Sequence, residues 1–398
     1  MLSIQEQERE YIFNTYARDP ETNPYFVKGE GSFVWDEKGK KYLDMVAGLA
    51  VNTLGHCPPG VVEALREQST KLFHCSNLYY TAPQVELART LVENSIGDKV
   101  FFCNSGAEAN EAAIKLARKY IKLFVGQERH EIITAENSFH GRTMATITAT
   151  GQPKYHQGFE PMVPGFKYAK FNDLESFSSL VGEKTCAIMV EPLQGEGGIH
   201  VGSEEFIKGL RDICRQHKIL LIFDEVQCGM GRTGKLFAYE DYDVKPDIIT
   251  LAKGLGGGVP IGAMIASREA ARGFNPGDHA STFGGNPLVC AASLAVLETL
   301  LEKDFLKDVN ELSSYFLKSL FKLKEKYPFI KEIRGKGFML GIEVDADGLE
   351  MMKSCYRKGL VINCIGGKVL RFLPPLNISR EELNFALEVL EQVMAEKK

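Results

Sequence analysis

The amino-acid sequence predicts an α/β protein: a large domain built on a mostly parallel central sheet, and a smaller α+β domain drawn from both chain ends. Three observations predict it. The chain has 398 residues, too many for one small core. Its middle alternates short β-branched runs with amphipathic stretches, as βαβ units do. Its last third turns to helical spacing, then a late strand pair and a final helix.

In chain order, Gly31-Ser-Phe-Val-Trp-Asp36 and Lys41-Tyr-Leu-Asp44 read as a hairpin that joins the smaller lobe. Candidate strands follow at Lys99–Cys103, Glu131–Ala135, Ala187–Glu191, Ile219–Phe223, Ile248–Ala252 and Ile261–Ala266, with helices at Ala107–Tyr120 and Glu204–Gln216 between them. Helical spacing runs from Pro287 to about Lys326. Strands near Met339–Val344 and Val369–Phe372 and a helix over Arg380–Glu396 complete the chain. This divides it into an N-terminal segment 1–50 that joins the small domain, a large domain 51–304 and a C-terminal small domain 305–398.

Apolar residues make up 44% and charged residues 25%, ordinary for a soluble protein. The net charge of −5 gives no electrostatic case for a nucleic-acid partner. The first ten residues carry acids where a leader peptide has bases and an apolar stretch, and no apolar run nears the roughly 20 residues that span a bilayer. The nine cysteines include no CxxC pair and the eight histidines no HExxH. A cytoplasmic protein with reduced thiols and no metal is expected. Cys103 and Cys228 lie near candidate motifs and read as small buried apolar residues.

Two charges carry the chemistry. Asp224 ends the apolar run Ile219–Phe223, and Lys253 ends Ile248–Ala252. In open α/β sheets, ligands bind beyond the carboxyl ends of the strands. A lysine amine there can form a Schiff base with a carbonyl cofactor, and a carboxylate can keep that cofactor's ring nitrogen protonated. The pair predicts pyridoxal phosphate.

Other segments meet the same edge. In Phe101-Phe-Cys-Asn-Ser-Gly-Ala-Glu108 a strand turns into a helix, with Ser105 and Glu108 matching a capping box and Gly106 allowing close approach. Such a helix start is either an ordinary cap or a phosphate site. Phe139 is a core residue or a ring stacked on a flat cofactor; Arg142 is a surface cation or a carboxylate clamp. His140 reads as a structural hydrogen-bonder. Glu196, in Glu191-Pro-Leu-Gln-Gly-Glu-Gly-Gly198, is a solvated loop acid or a substrate-side carboxylate. Gly254-Leu-Gly-Gly-Gly258 fits neither a GxGxxG nor a Walker register. Ser281 and Thr282 form a turn or bind anion oxygens. Arg371 sits in the apolar strand Val369-Leu-Arg-Phe-Leu373, where a cation needs a partner.

These motifs, with Phe223-Asp-Glu-Val-Gln227, Gly229-Met-Gly-Arg-Thr-Gly234 and Ser281-Thr-Phe-Gly-Gly-Asn286, resemble in order those of the class III aminotransferases, in the pyridoxal-phosphate superfamily of fold type I. The resemblance runs from about Asn14 to Leu376 and is nearest to the acetylornithine branch. It implies that Lys253 binds the cofactor covalently and shuttles the proton, and that Asp224 meets the pyridine nitrogen. It implies that Phe139 and Val226 cover the two ring faces, that Gln227 lies by the phenolic oxygen, and that Glu225 is among the cofactor contacts. Gly106 and Ala107 would give backbone N–H groups to the phosphate, with Ser105 nearby, and Thr282 would reach the phosphate of the other subunit of a homodimer. Arg142 and Ser281 would bind the α-carboxylate region of the acylated donor. Arg371 would take the α-carboxylate of glutamate or 2-oxoglutarate, and Glu196 would mask Arg371 when an ω-amine is bound. The implied activity is transamination of N-acetylornithine with 2-oxoglutarate, in arginine synthesis. Succinylornithine, succinyl-diaminopimelate, ornithine and 4-aminobutyrate are the alternative donors. An aromatic residue usual in ornithine enzymes is matched here by Leu49, which favours an acylated substrate. A nucleotide-binding dehydrogenase is the reading from another class, and it gives Lys253 no task.

Overall fold

A computed structural model describes residues 3–19, 23–126 and 128–397. Its central sheet has seven strands, in spatial order Lys99–Cys103, Gly262–Ala266, Ile248–Leu251, Leu220–Asp224, Thr185–Val190, Glu131–Ala135 and Phe166–Ala169. The last five run parallel to one another. Gly262–Ala266 is antiparallel to both its neighbours, so Lys99–Cys103 points the same way as the rest. The reversal has a simple cause. Only the ten residues Ala252 to Ile261 connect it to the preceding strand, fewer than the dozen or so that a parallel crossover needs.

The four strands from Thr185–Val190 to Gly262–Ala266 are buried along their whole length. Their side chains alternate between two cores, as a period of two requires. Leu221 and Phe223 join one with Phe177 and Phe206, while Leu220 and Ile222 join the other with Ala112, Ala113 and Leu116. That second core meets the alanine-rich face of helix Gly106–Phe124, whose small side chains let it sit close on the sheet.

A second, antiparallel sheet holds the strands Ile330–Lys336, Met339–Val344, Val369–Phe372 and Asn363–Ile365, in that order. A further sheet joins both chain ends: Phe26–Glu30, Phe33–Asp36 and Lys41–Asp44 pair in series, and Leu360 lies parallel beside Leu43. The hairpin expected near residues 31–44 is thus extended by Phe26–Glu30, and the large sheet gains the unanticipated edge strand Phe166–Ala169. The strand expected at Ala187–Glu191 runs Thr185–Val190 and leaves Glu191 just past its end. Among the described residues no helix is long and apolar enough to cross a membrane.

Candidate active site

A cavity of about 440 Å³ opens at the carboxyl ends of the large sheet and holds both Asp224 and Lys253. Its size suits a small organic ligand. Lys253 follows the strand Ile248–Leu251 with φ of +40°, in the left-handed region that non-glycine residues avoid. Gly254 lets the backbone pass Thr53, since a Cβ there would lie 2.5 Å from the Thr53 hydroxyl. Lys253 is half-buried and faces the cavity. Desolvation pushes its amine below the usual 10.5, the Arg371 charge adds to the effect, and Glu196, Asp224 and Glu191 oppose it. A lysine so placed spends more of its time as the neutral, nucleophilic amine.

Asp224 is held by a buried network. One carboxylate oxygen accepts from Asn110 Nδ2 and from His140 Nδ1, each at 2.7 Å. The other accepts from the Val226 N–H at 3.0 Å. Asn110 also donates to the His140 carbonyl and accepts from Thr250 Oγ1, both at 2.7 Å. The carboxylate is therefore fixed in orientation on the cavity wall. Asn110 is the piece sequence reasoning missed. A polar residue 1% exposed within an alanine-rich helix was the available signal.

The start of helix Gly106–Phe124 forms one wall. Ser105 caps it by accepting from the Glu108 N–H at 3.2 Å. The capping box is shifted by one residue, because the Glu108 carboxylate accepts from the Asn104 N–H at 2.5 Å instead of from Ser105. Ser105, Gly106 and Ala107 face the cavity, at a helix end where backbone N–H groups have no partner within the helix. Val226 packs against this turn so closely that a Cβ on Gly106 would lie 2.7 Å from it.

Phe139 and Val226 both line the cavity. Both amide atoms of Gln227 are buried without a hydrogen-bond partner, and Gln227 lines the cavity, so the amide can serve a polar ligand atom there. Gly195 leaves room for this amide: a Cβ there would lie 1.7 Å from Gln227 Oε1 and push it aside. Glu191, which sequence reasoning gave no task, accepts from the Phe139 N–H at 3.1 Å. Burial, and then the Asp224 charge, raise its carboxyl well above the ordinary range.

From the strand Val369–Phe372, Arg371 reaches Glu196 Oε1 at 2.5 Å, and its Nε and Nη2 hold Asn363 Oδ1 at 3.1 and 2.8 Å. Burial is the largest single effect on Glu196 and opposes its ionisation, but the Arg371 charge and hydrogen bond, with the Lys253 charge, together outweigh it and keep the carboxyl below its ordinary value. Arg142 lies exposed at the mouth, 4.2 Å over the Tyr155 ring.

Three expected contacts lie elsewhere in this chain. Glu225 turns away from the cavity because its carboxylate accepts the Ala238 and Tyr239 N–H groups at 2.6 and 2.8 Å. Burial raises it to about 8. Ser281 and Thr282 line a separate surface hollow of about 730 Å³ with Asn77 and Gln84. Ser281 touches the first site only through Asn104, 3.3 Å away. Leu49 is also outside the cavity wall, where Val51 stands instead. Cys103 and Cys228 are buried, and burial pushes both thiols up, so neither is a nucleophile.

The sequence model of the aminotransferase class-III family matches residues 15–394. The chain belongs to the class-III aminotransferases. It is 55% identical over 390 residues to the acetylornithine aminotransferase of Caldanaerobacter subterraneus subsp. tengcongensis, covering 98% of each chain. It is 52% identical to that of Methanocaldococcus jannaschii, covering 98% of this chain and 97% of the other. Among solved structures, ornithine aminotransferase from Toxoplasma gondii ME49 superposes with a TM-score of 0.95 at 32% identity, over 100% of this chain and 96% of that one. N-acetylornithine aminotransferase from Stenotrophomonas maltophilia K279a gives 0.84 at 37%, over 98% of each. Class-III aminotransferases depend on pyridoxal phosphate. The residues present fit it: a buried, oriented carboxylate for a ring nitrogen, a helix start for a phosphate, an amide without a partner for a ring oxygen, and a lysine facing the cavity.

Proposed function

We propose that this class-III aminotransferase moves the terminal amine of N-acetylornithine to 2-oxoglutarate, giving N-acetylglutamate semialdehyde and glutamate in arginine synthesis. The observation that carries this reading is the Glu196–Arg371 pair, whose Glu196 lines the same cavity as Lys253. An enzyme that uses a terminal amine in one half-reaction and a dicarboxylate in the other needs a carboxylate receptor that can be masked. Glu196 masks Arg371 while the ω-amine is bound and releases it to the α-carboxylate of glutamate. The relatives named acetylornithine aminotransferases, at 52–55% identity over nearly the whole chain, support this substrate.

When bound, pyridoxal phosphate supplies a ring that accepts electrons from the carbon bearing the amine. Asp224, oriented by Asn110 and His140, stabilises a proton on the ring nitrogen. Lys253 would bind the cofactor and, as a free amine, would carry the proton to and from the donor carbon. Phe139 and Val226 would cover the ring faces, Gln227 would meet its oxygen, and Ser105, Gly106 and Ala107 would hold the phosphate. Arg142 meets the donor's α-carboxylate.

The reading extends to a cytoplasmic homodimer in which Thr282 serves the partner's phosphate and Ser281 the partner's substrate. Apolar side chains exposed beside their hollow, Tyr80 at 99% and Phe283 at 60%, support a covered face there. Ornithine is the second reading, favoured by the likeness to the Toxoplasma gondii enzyme. Steady-state rates with N-acetylornithine, ornithine, succinylornithine, succinyl-diaminopimelate and 4-aminobutyrate test the choice. The highest kcat/KM is expected for N-acetylornithine, and a highest value for 4-aminobutyrate overturns the reading.

A further inference from the structure

Arg232 is among the largest fully buried side chains, at 2% exposure. It lies in the loop that leaves Asp224, yet its side-chain hydrogen bonds go to the antiparallel sheet that carries Arg371. Nη1 donates to the Pro374 carbonyl at 2.5 Å and to the Phe338 carbonyl at 3.3 Å. Its own carbonyl accepts from the Phe338 N–H at 3.0 Å. Gly337 is required beside it, with φ of +56° and room for no Cβ, which would lie 2.4 Å from the Arg232 oxygen.

Phe338 stands immediately before the strand Met339–Val344, and Pro374 two residues after Val369–Phe372. These strands are antiparallel neighbours, with Leu340 opposite Phe372 and Gly341 opposite Arg371. Arg232 thus grips both strands at one end, the end that carries Arg371. Among the described residues no carboxylate pairs with it, and Nη2 is buried without a partner. Burial lowers its guanidinium to about 9, which leaves it charged at neutral pH. A buried cation held only by carbonyl oxygens is costly, and packing alone would be served better by an apolar side chain.

We infer that Arg232 is a positioning residue: it locks the strand end bearing Arg371 to the Asp224 loop, and so sets the reach of Arg371 toward a substrate carboxylate. This rests on the reading of Arg371 as a carboxylate receptor. Displacement of a receptor by a fraction of an ångström lowers dicarboxylate binding without touching the ω-amine side of the reaction.

The probe is glutarate, a dicarboxylate that cannot accept an amine, titrated calorimetrically into the cofactor-loaded protein. Arg232→Met is expected to weaken glutarate about tenfold and to change the KM of the amine donor less than about twofold. In an Arg371→Met background the same substitution is expected to change glutarate binding less than about twofold, because its effect passes through Arg371. Equal weakening in both backgrounds, or parallel losses in both half-reactions, overturns the inference and leaves Arg232 a general structural residue. If Arg232→Met does not fold, Arg232→Lys, which keeps the charge and one donor, takes its place in the same cycle. It is expected to weaken glutarate about threefold, and unchanged binding overturns the inference. If Arg371→Met alone leaves glutarate binding intact, the receptor reading itself falls, and this inference with it.

Discussion

Arg371 and Glu196, 175 residues apart in sequence, share a hydrogen bond of 2.5 Å, with Glu196 on the wall of the cavity that holds Lys253. Arg371 is buried, whereas the Glu196 side chain keeps 27% of its surface exposed. The acid therefore has somewhere to go when the pair opens. The cation does not, being held by Asn363 on its other side. That asymmetry makes Glu196 the moving part.

Glu196→Ala leaves Arg371 permanently uncovered. With the two half-reactions measured separately, kcat/KM for the ω-amine donor is expected to fall about tenfold relative to that for glutamate. An unchanged ratio contradicts the masking role.

Asp224→Asn removes the negative charge while keeping the shape, and places an amide among the donors Asn110, His140 and Val226. kcat is expected to fall about 100-fold or more, because a fixed charge facing a developing one is lost. A value within tenfold of the parent's would assign the ring nitrogen to another group.

Gly106→Ala drives a Cβ into Val226, whose methyl carbons would lie 2.7 and 2.9 Å away. The helix start and the ring-facing Val226 must then separate. Overpacking of this kind costs about 1–3 kcal/mol, and weaker retention of pyridoxal phosphate by roughly tenfold is expected in an absorbance titration. Unchanged affinity would place the phosphate away from this turn.

Glu225 gives a stability effect separate from catalysis. Its proton is held up to about pH 8 in the folded chain, against an ordinary 4.5. Between these values the folded state binds more protons than the unfolded one, so this group's contribution to stability is full below pH 4.5 and is lost as pH rises toward 8. Urea unfolding of wild type and Glu225→Gln at pH 5 and pH 8 reads it directly. The advantage of wild type over the variant is expected to shrink by a few kcal/mol on going to pH 8. A difference independent of pH contradicts the assignment.

Much of the fold can be read in the sequence where burial is two-sided. Continuous apolar runs such as Leu220–Phe223 announce strands covered on both faces, and each hands over a charge where the run stops. Phe166–Ala169 escaped because it is a short edge strand, half-buried, with a lysine inside it. The site is legible where one segment makes one contact: the Gly106 turn, the Asp224 and Lys253 strand ends. It is not where a side chain chooses between neighbours. Glu225 sits beside Asp224 in sequence but points the other way, since successive residues at a strand end face opposite sides. Asn110 and Arg232 act through partners more than a hundred residues away, which no local pattern reveals.

The central claim is that Lys253 carries the cofactor. Purified protein loaded with pyridoxal phosphate, reduced with borohydride and digested, is read by peptide mass mapping. The account predicts a visible absorbance band that reduction bleaches, with the mass of one reduced pyridoxyl phosphate on the peptide containing Lys253. A colourless protein that cannot be reconstituted, or a label on any other lysine, would contradict it.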